Sequence, residues 1–164
     1  MKIYVASSWR NEKQTEVVKA LREAGHSVYD FKNDTGFQWS DIDPDWLDWD
    51  SPKFRESLRH PLAVRGFKSD MDAMKWCDAV VLVLPCGRSA HSEAGWCAGA
   101  KKKSVVLLSG KDEPELMYKL FDFICVSMDE VIQVLEKPNI CHYCKKPLEH
   151  PYTCCTSCAD EHGP

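Results

Sequence analysis

Glu93 stands at the head of a helical stretch, residues 92–100, that follows the most apolar run of the chain, residues 79–84. In a first helical turn the unpaired backbone N–H groups favour an ionised carboxylate. An anionic carboxylate at a strand end is what a nucleophile or an electrostatic stabiliser requires; Glu is also common there as a plain cap. Asp70 is the second candidate. It shares a helical face with Phe67 and Met74, and an acid on an apolar stripe departs from the usual segregation of charge from the core. Asp72 lies off that face and reads as solvated, and Asp78 reads as a turn or cap residue. Two carboxyls brought together at strand ends suit glycosidic chemistry, one attacking an anomeric carbon and one assisting. Between the apolar run and Glu93 comes Gly87-Arg88-Ser89-Ala90-His91. Arg88 and His91 there can pair with a phosphate, Arg88 bidentately, although an arginine in a loop is as often merely solvated.

The cysteines hold a second kind of chemistry. Five of the nine, Cys141, Cys144, Cys154, Cys155 and Cys158, fall in the last 24 residues. Cys141 and Cys144 form one C-x₂-C pair and Cys155 and Cys158 another, with ten residues between them. Four thiolates at this spacing suit a closed tetrahedral zinc site, structural and without an open position for catalysis. So short a segment buries too little core to fold alone, and metal would supply the missing energy. Cys154 could replace Cys155, and His142, His150 and His162 are lesser alternatives; unpaired thiols or disulfides are the plain alternative. Cys77, Cys86, Cys97 and Cys125 are expected as small buried apolar residues, with Cys86 close enough to the 87–91 loop to be a candidate reactive thiol. His26 and His60 read as surface or cap histidines.

These residues need a scaffold, and the first 136 residues alternate strand and helix patterns. Strands are expected at 3–6, 27–31, 79–84, 104–108 and 123–127, and helices at 12–24, from about 53, at 61–76, 92–100, 113–121 and 129–135. Val17, Leu21 and Ala24 lie at i, i+4 and i+7, a helical period, and Gly25 follows as a C-terminal stop. Pro61 suits a first helical turn. Residues 32–52, rich in Asp and Trp, show no period and read as a long ordered loop, a lid or an oligomer contact with tryptophan anchors. The alternation predicts a doubly wound parallel sheet of the flavodoxin or Rossmann kind, covered on both faces. A small zinc-binding module held by four cysteines follows, dividing the chain at 1–136 and 137–164.

In such a sheet ligands bind beyond the carboxyl ends of the strands. One end carries Ser7, Trp9 and Arg10; the other carries Gly87, Arg88, Ser89 and His91. Trp9, Phe37 or Trp39 can stack on a base, which is worth roughly 1–3 kcal/mol per base, or can simply be packing. There is neither a G-x-G-x-x-G nor a P-loop motif. The 164 residues carry a net charge of −4, which argues against generic nucleic-acid binding. No apolar run approaches the roughly 18 residues of a membrane span, and the N-terminus lacks a signal-peptide pattern. With cysteines sparse outside the tail, a reduced cytoplasmic setting is expected.

Together these features resemble the nucleoside 2-deoxyribosyltransferase family, whose relatives include the 2′-deoxynucleoside 5′-phosphate N-hydrolases. The matching parts are Ile3-Tyr4-Val5-Ala6, Asp70 eight residues before Asp78, Ser89 with Glu93-Ala94-Gly95, and Gly99-Ala100-Lys101-Lys102. The resemblance covers about residues 1–135. It implies that Glu93 is the nucleophile forming a glycosyl ester, that Asp70 is the assisting acid, and that Ser89 and its neighbours hold the 5′ end of the sugar or its phosphate. It also implies a homo-oligomer whose subunits complete each other's sites. Arg88 and His91 depart from the family's smaller Ser/Gly turn and favour a nucleotide substrate, and the Cys-rich tail is an addition. The expected activity is cleavage of the N-glycosidic bond of a nucleoside or nucleoside 5′-monophosphate, as a hydrolase or a 2-deoxyribosyltransferase, with no cofactor beyond structural zinc. The rival reading is a non-catalytic nucleotide-sensing or interaction module with a zinc-stabilised tail.

Overall fold

The computed structural model describes residues 1–34 and 36–138. Strands β1 (Lys2–Ala6), β2 (Ser27–Tyr29), β3 (Ala79–Val83), β4 (Lys103–Leu107) and β5 (Phe123–Cys125) form one parallel sheet in the order β2-β1-β3-β4-β5. The helices are α1 (Lys13–Glu23), α2 (Phe31–Asp34), α3 (Ser51–Ser57), α4 (Pro61–Trp76), α5 (Arg88–Gly99) and α6 (Met128–Glu136). β3 and β4 are buried along their whole length, as expected of strands covered on both faces. On one face Ile3, Val5, Val81 and Val105 meet Val17 and Leu21 of α1 and Val131 and Leu135 of α6. On the other, Tyr4, Ala6, Val80 and Leu82 meet Met74 of α4 and Ala90, Ala94 and Cys97 of α5. The order reverses between β1 and β3, so the crevice of this topology opens at the carboxyl ends of those two strands.

Local chemistry sets the element ends. α1 stops at Gly25, whose φ of +84° is a conformation that only glycine takes freely. The His60 ring caps α4, accepting from Leu62 N–H at 3.2 Å. Two expectations need correction. The helix expected at 92–100 begins four residues earlier, at Arg88. Ala90, Ala94 and Cys97 form one buried stripe of small residues at i, i+4 and i+7, and burying Ala90 requires helix ahead of it. The aperiodic segment 32–52 is not a plain loop. It contains most of α2, two 3-10 turns at Trp39–Asp41 and Trp46–Asp48, and the start of α3. Its acids cap these short pieces: Asp41 accepts from Gln38 N–H (2.9 Å), and Asp50 from Lys53 N–H (2.8 Å). Capping follows turn chemistry rather than helical period.

Smaller differences concern the edge strands. β2 ends at Tyr29 and β5 at Cys125, and the helix expected at 113–121 is a 3-10 turn, Leu116–Leu120. Lys103 is buried within β4, and its Nζ donates to the carbonyls of Val134, Leu135 and Lys137, capping the C-terminal end of α6. Beyond residue 138 the expected zinc module lies outside the described residues. No helix among the described residues is long and apolar enough to cross a membrane.

Candidate active site

Parallel pairing sets Tyr4 of β1 directly beside Tyr29 of β2. Their rings stack with centroids 5.2 Å apart and planes 17° from parallel. Each phenol must satisfy a polar end inside an apolar layer, and each finds a carboxyl. The Tyr4 hydroxyl donates to Glu93 Oε2 of α5 at 3.1 Å, and the Tyr29 hydroxyl donates to Asp70 Oδ1 of α4 at 2.9 Å. Four residues on four elements thus form one cluster, and the two acids read from the sequence are brought together.

The electrostatics differ from what chain position implied. Glu93 lies in the second turn of α5, beyond reach of the first-turn backbone charge. Burial, then the neighbouring Asp70, push its carboxyl up to about 7, against the pull of the Tyr4 hydrogen bond. Burial also raises Asp70, offset by the Tyr29 bond. Near neutrality the pair therefore still retains a proton, because burial and the Asp70 charge both disfavour ionising Glu93. Burial and the two acids push the Tyr4 phenol far above its ordinary value, so it remains a donor. The stripe that singled out Asp70 is only half apolar core: Met74 is buried, whereas Phe67 is 68% exposed.

Sequence reading missed both tyrosines. Their signal was a polar-tipped ring in an otherwise aliphatic strand, with a second at the register-matched position of the next strand. It also missed Asn11. This buried side chain lies within hydrogen-bond distance of Ser7 Oγ (3.1 Å), Val83 O (3.3 Å) and Pro85 O (3.1 Å). The Ser7 hydroxyl itself donates to Val83 O at 2.9 Å. Asn11 and Ser7 therefore brace the two loops that border the crevice, and Ser7 is engaged within the protein.

The remaining candidates separate. Ser89 sits one turn before Glu93 on α5 and shares its face, while Gly87 and Arg88 open that helix, exposed. A side chain at Gly87 would meet only open space. His91, expected as a phosphate partner, is engaged within the protein. Its Nδ1 lies 2.9 Å from Gly87 O and its Nε2 2.9 Å from the Tyr118 hydroxyl, so both ring nitrogens are engaged. Burial and then Glu93 push the Cys86 thiol up to about 12, which disfavours the thiolate that a reactive cysteine needs. Trp9 is 38% exposed and rests edge-on against Phe31, beside an exposed Arg10. Phe37 lies against Gly66 of α4, where an added Cβ would come within 2.8 Å of it. Gly66 is one turn from Asp70 on the same helix face. Trp39 is turned into an aromatic cluster with Phe37, Trp49 and Phe54. The expected zinc ligands Cys141, Cys144, Cys155 and Cys158 lie outside the described residues, and among the described residues no group of three or more His, Cys, Asp or Glu is placed to hold a metal.

In sequence the chain matches no protein-family model and no curated protein. In fold it is similar to a 2-deoxyribosyltransferase from the psychrotolerant bacterium Bacillus psychrosaccharolyticus, with 19% identity over 80% of this chain and 90% of that one and a TM-score of 0.60. A CMP N-glycosidase of Clostridium botulinum aligns over 84% of this chain and all of that one, at 20% identity and a TM-score of 0.49.

Proposed function

We propose that this chain cleaves the N-glycosidic bond of a nucleoside or nucleoside 5′-monophosphate, with Glu93 as nucleophile and Asp70 as acid. The observation that carries the reading is the pair of adjoining, partly buried carboxyls, each held by a tyrosine hydroxyl. The fold likeness to a 2-deoxyribosyltransferase supports it. In the reactive state the proton that the pair retains is on Asp70, and Glu93 is ionised. Glu93 attacks C1′ as the C1′–N bond breaks; the bond's electron pair leaves with the base, which takes the Asp70 proton. A glycosyl ester remains on Glu93. Water, or a second base, then attacks C1′, returns its proton to Asp70 and releases Glu93.

The surroundings receive roles consistent with their positions. Trp9 and Phe37 offer faces for the base, and the Trp39 cluster supports Phe37. Gly87, Arg88 and Ser89 hold the 5′ end of the sugar, where the first N–H groups of α5 and the Arg88 guanidinium favour a phosphate. Arg10 is a further cation beside the same crevice. Ser7 acts through its brace. Self-association, which the family resemblance implies, is part of this reading. The tail cysteines Cys141, Cys144, Cys155 and Cys158 would hold one structural zinc outside the reaction.

The test is release of free base from a panel of nucleosides and nucleoside monophosphates, with Glu93→Gln as the paired variant. Turnover by the wild type and its collapse in the variant, with binding retained, is the expected result. A slow 2-fluoro sugar analogue should leave a covalent adduct on Glu93 and none on the variant. Ligand binding without turnover across the whole panel would replace this reading with a nucleotide-sensing module.

A further inference from the structure

Of the two acids in the cluster, Asp70 is tied by a group that the reaction outlined above does not use. Tyr29 lies on β2, the edge strand, which contributes nothing else to the reacting groups. Its hydroxyl donates to Asp70 at 2.9 Å while its ring stacks on Tyr4, the donor to Glu93. The pairing is built into the sheet, since Tyr4 and Tyr29 are register partners of neighbouring parallel strands. Such strands run about 4.8 Å apart, and the two ring centroids are 5.2 Å apart. Each phenol is therefore a rigid spacer of the same length rising from the same sheet face, and each ends on one carboxyl. Two carboxyls that act as nucleophile and acid in a double displacement work at a separation of roughly 5–5.5 Å.

We propose that Tyr29 is a positioning residue for Asp70, and that its stack on Tyr4 passes the β1–β2 strand spacing to the two carboxyls. The proposal rests on the glycosidic reading. Tyr29 does two things through Asp70. It fixes which oxygen of the carboxyl is tied, leaving the other to face the leaving base. It also stabilises the Asp70 anion by hydrogen bonding to it, which moderates how long Asp70 keeps its proton as pH rises.

Among the described residues, the titratable groups that face this pair can be named. Asp70 is faced by Tyr29 of β2, Tyr4 of β1 and Glu93 of α5. Glu93 is faced by Tyr4, Asp70, Cys86 of the loop after β3, and Cys97 one turn on along α5. The neighbouring Asp72 of α4 is exposed and paired with Lys68. Among the described residues, Tyr29 thus supplies the hydroxyl that bonds Asp70.

Tyr29→Phe keeps the ring and its stack and removes only the hydroxyl. The basic limb of kcat/KM for the base-release reaction should then move to higher pH by about one unit, because the Asp70 anion has lost its donor. At the optimum kcat should fall about tenfold with KM little changed, the pattern of an interaction used in the transition state. Loss of packing alone would lower the amount of folded enzyme without moving the limb. A Tyr29→Phe profile superimposable on wild type, or a limb moved to lower pH, overturns the proposal. The carboxyl titrations, followed by ¹³C NMR of aspartate-labelled full-length protein, supply a readout that needs no substrate. The Asp70 resonance should titrate at higher pH in Tyr29→Phe, and an unchanged midpoint overturns the proposal. If the wild type releases no base, the glycosidic reading fails by itself, and the NMR arm still decides whether Tyr29 governs Asp70.

Discussion

Glu93→Gln separates the two consequences of burying an acid beside another acid. The folded carboxyl sits near 7, against an ordinary value of 4.5, so the folded chain binds more protons than the unfolded one between those limits. Stability from this group is complete below about pH 4.5 and is lost as pH rises through 7, at up to about 1.4 kcal/mol per pH unit. The amide of Gln can still accept from Tyr4 and carries no charge to bury. The variant should therefore match wild type in urea denaturation near pH 4.5 and exceed it at pH 8 by roughly 3 kcal/mol, even as turnover collapses. An equal difference at both pH values would show that Glu93 does not titrate near neutrality. Arg88 makes a different prediction at this scale. It stands exposed at the first position of α5, so Arg88→Ala should leave stability unchanged. Binding of a nucleoside monophosphate should weaken by roughly 1.5–3 kcal/mol, with little effect on the matching nucleoside, as read by calorimetry. Equal losses for both would move the substrate toward free nucleosides.

At the scale of elements, the aperiodic segment between β2 and α4 meets α4 in one close approach. Phe37 lies on the bare backbone of Gly66, and the cluster of Trp39, Trp49 and Phe54 closes behind it. Gly66→Ala favours the helix by up to about 1 kcal/mol, yet its methyl would come within 3 Å of the Phe37 Cβ and Cγ. Overpacking of this kind costs typically about 1–3 kcal/mol. The expected net effect is a loss of stability, together with a raised KM because Phe37 is pushed from its seat on Gly66, one turn from Asp70. Phe37→Ala in the Gly66→Ala background should recover most of the stability and none of the affinity. Thermal melts and KM values of the single and double variants check this, and full stability of Gly66→Ala alone would show that the segment slides freely on α4.

For the whole molecule, the sheet with its two helical layers accounts for residues 1–136, and the cysteine pairs lie beyond it. Metal analysis of protein purified without added zinc should find about one zinc per chain. Cys141→Ser should release that zinc and leave the melting of the α/β unit in place, because residues 1–136 themselves pack both faces of the sheet. Disulfides across the tail cysteines with no metal bound would overturn the zinc assignment. A chain whose sites are completed by a second copy should also show a mass above that of one chain in light scattering.

The sequence by itself determined the layered α/β fold. Unbroken apolar runs such as Ala79–Val83 can exist only where helices cover both faces, and α4 runs from Pro61 to Trp76 as its cap and period dictate. It also singled out Glu93 and Asp70, though partly for reasons the structure does not keep. Glu93 is not in a first turn, and one neighbour on the Asp70 stripe is exposed. Tertiary structure alone decided what those acids touch. Tyr4 and Tyr29 are 25 residues apart in sequence and adjoin only because two parallel strands pair in one register. The acids they bind come from helices that cross the same face of the sheet. The contact of His91 with Tyr118 could not be read along the chain for the same reason, since a ring nitrogen's partner can come from anywhere in the chain. Periodicity is a local property and can be read along the chain. Hydrogen bonds and desolvation at a site depend on contacts between distant segments, and only the packed molecule brings those segments together.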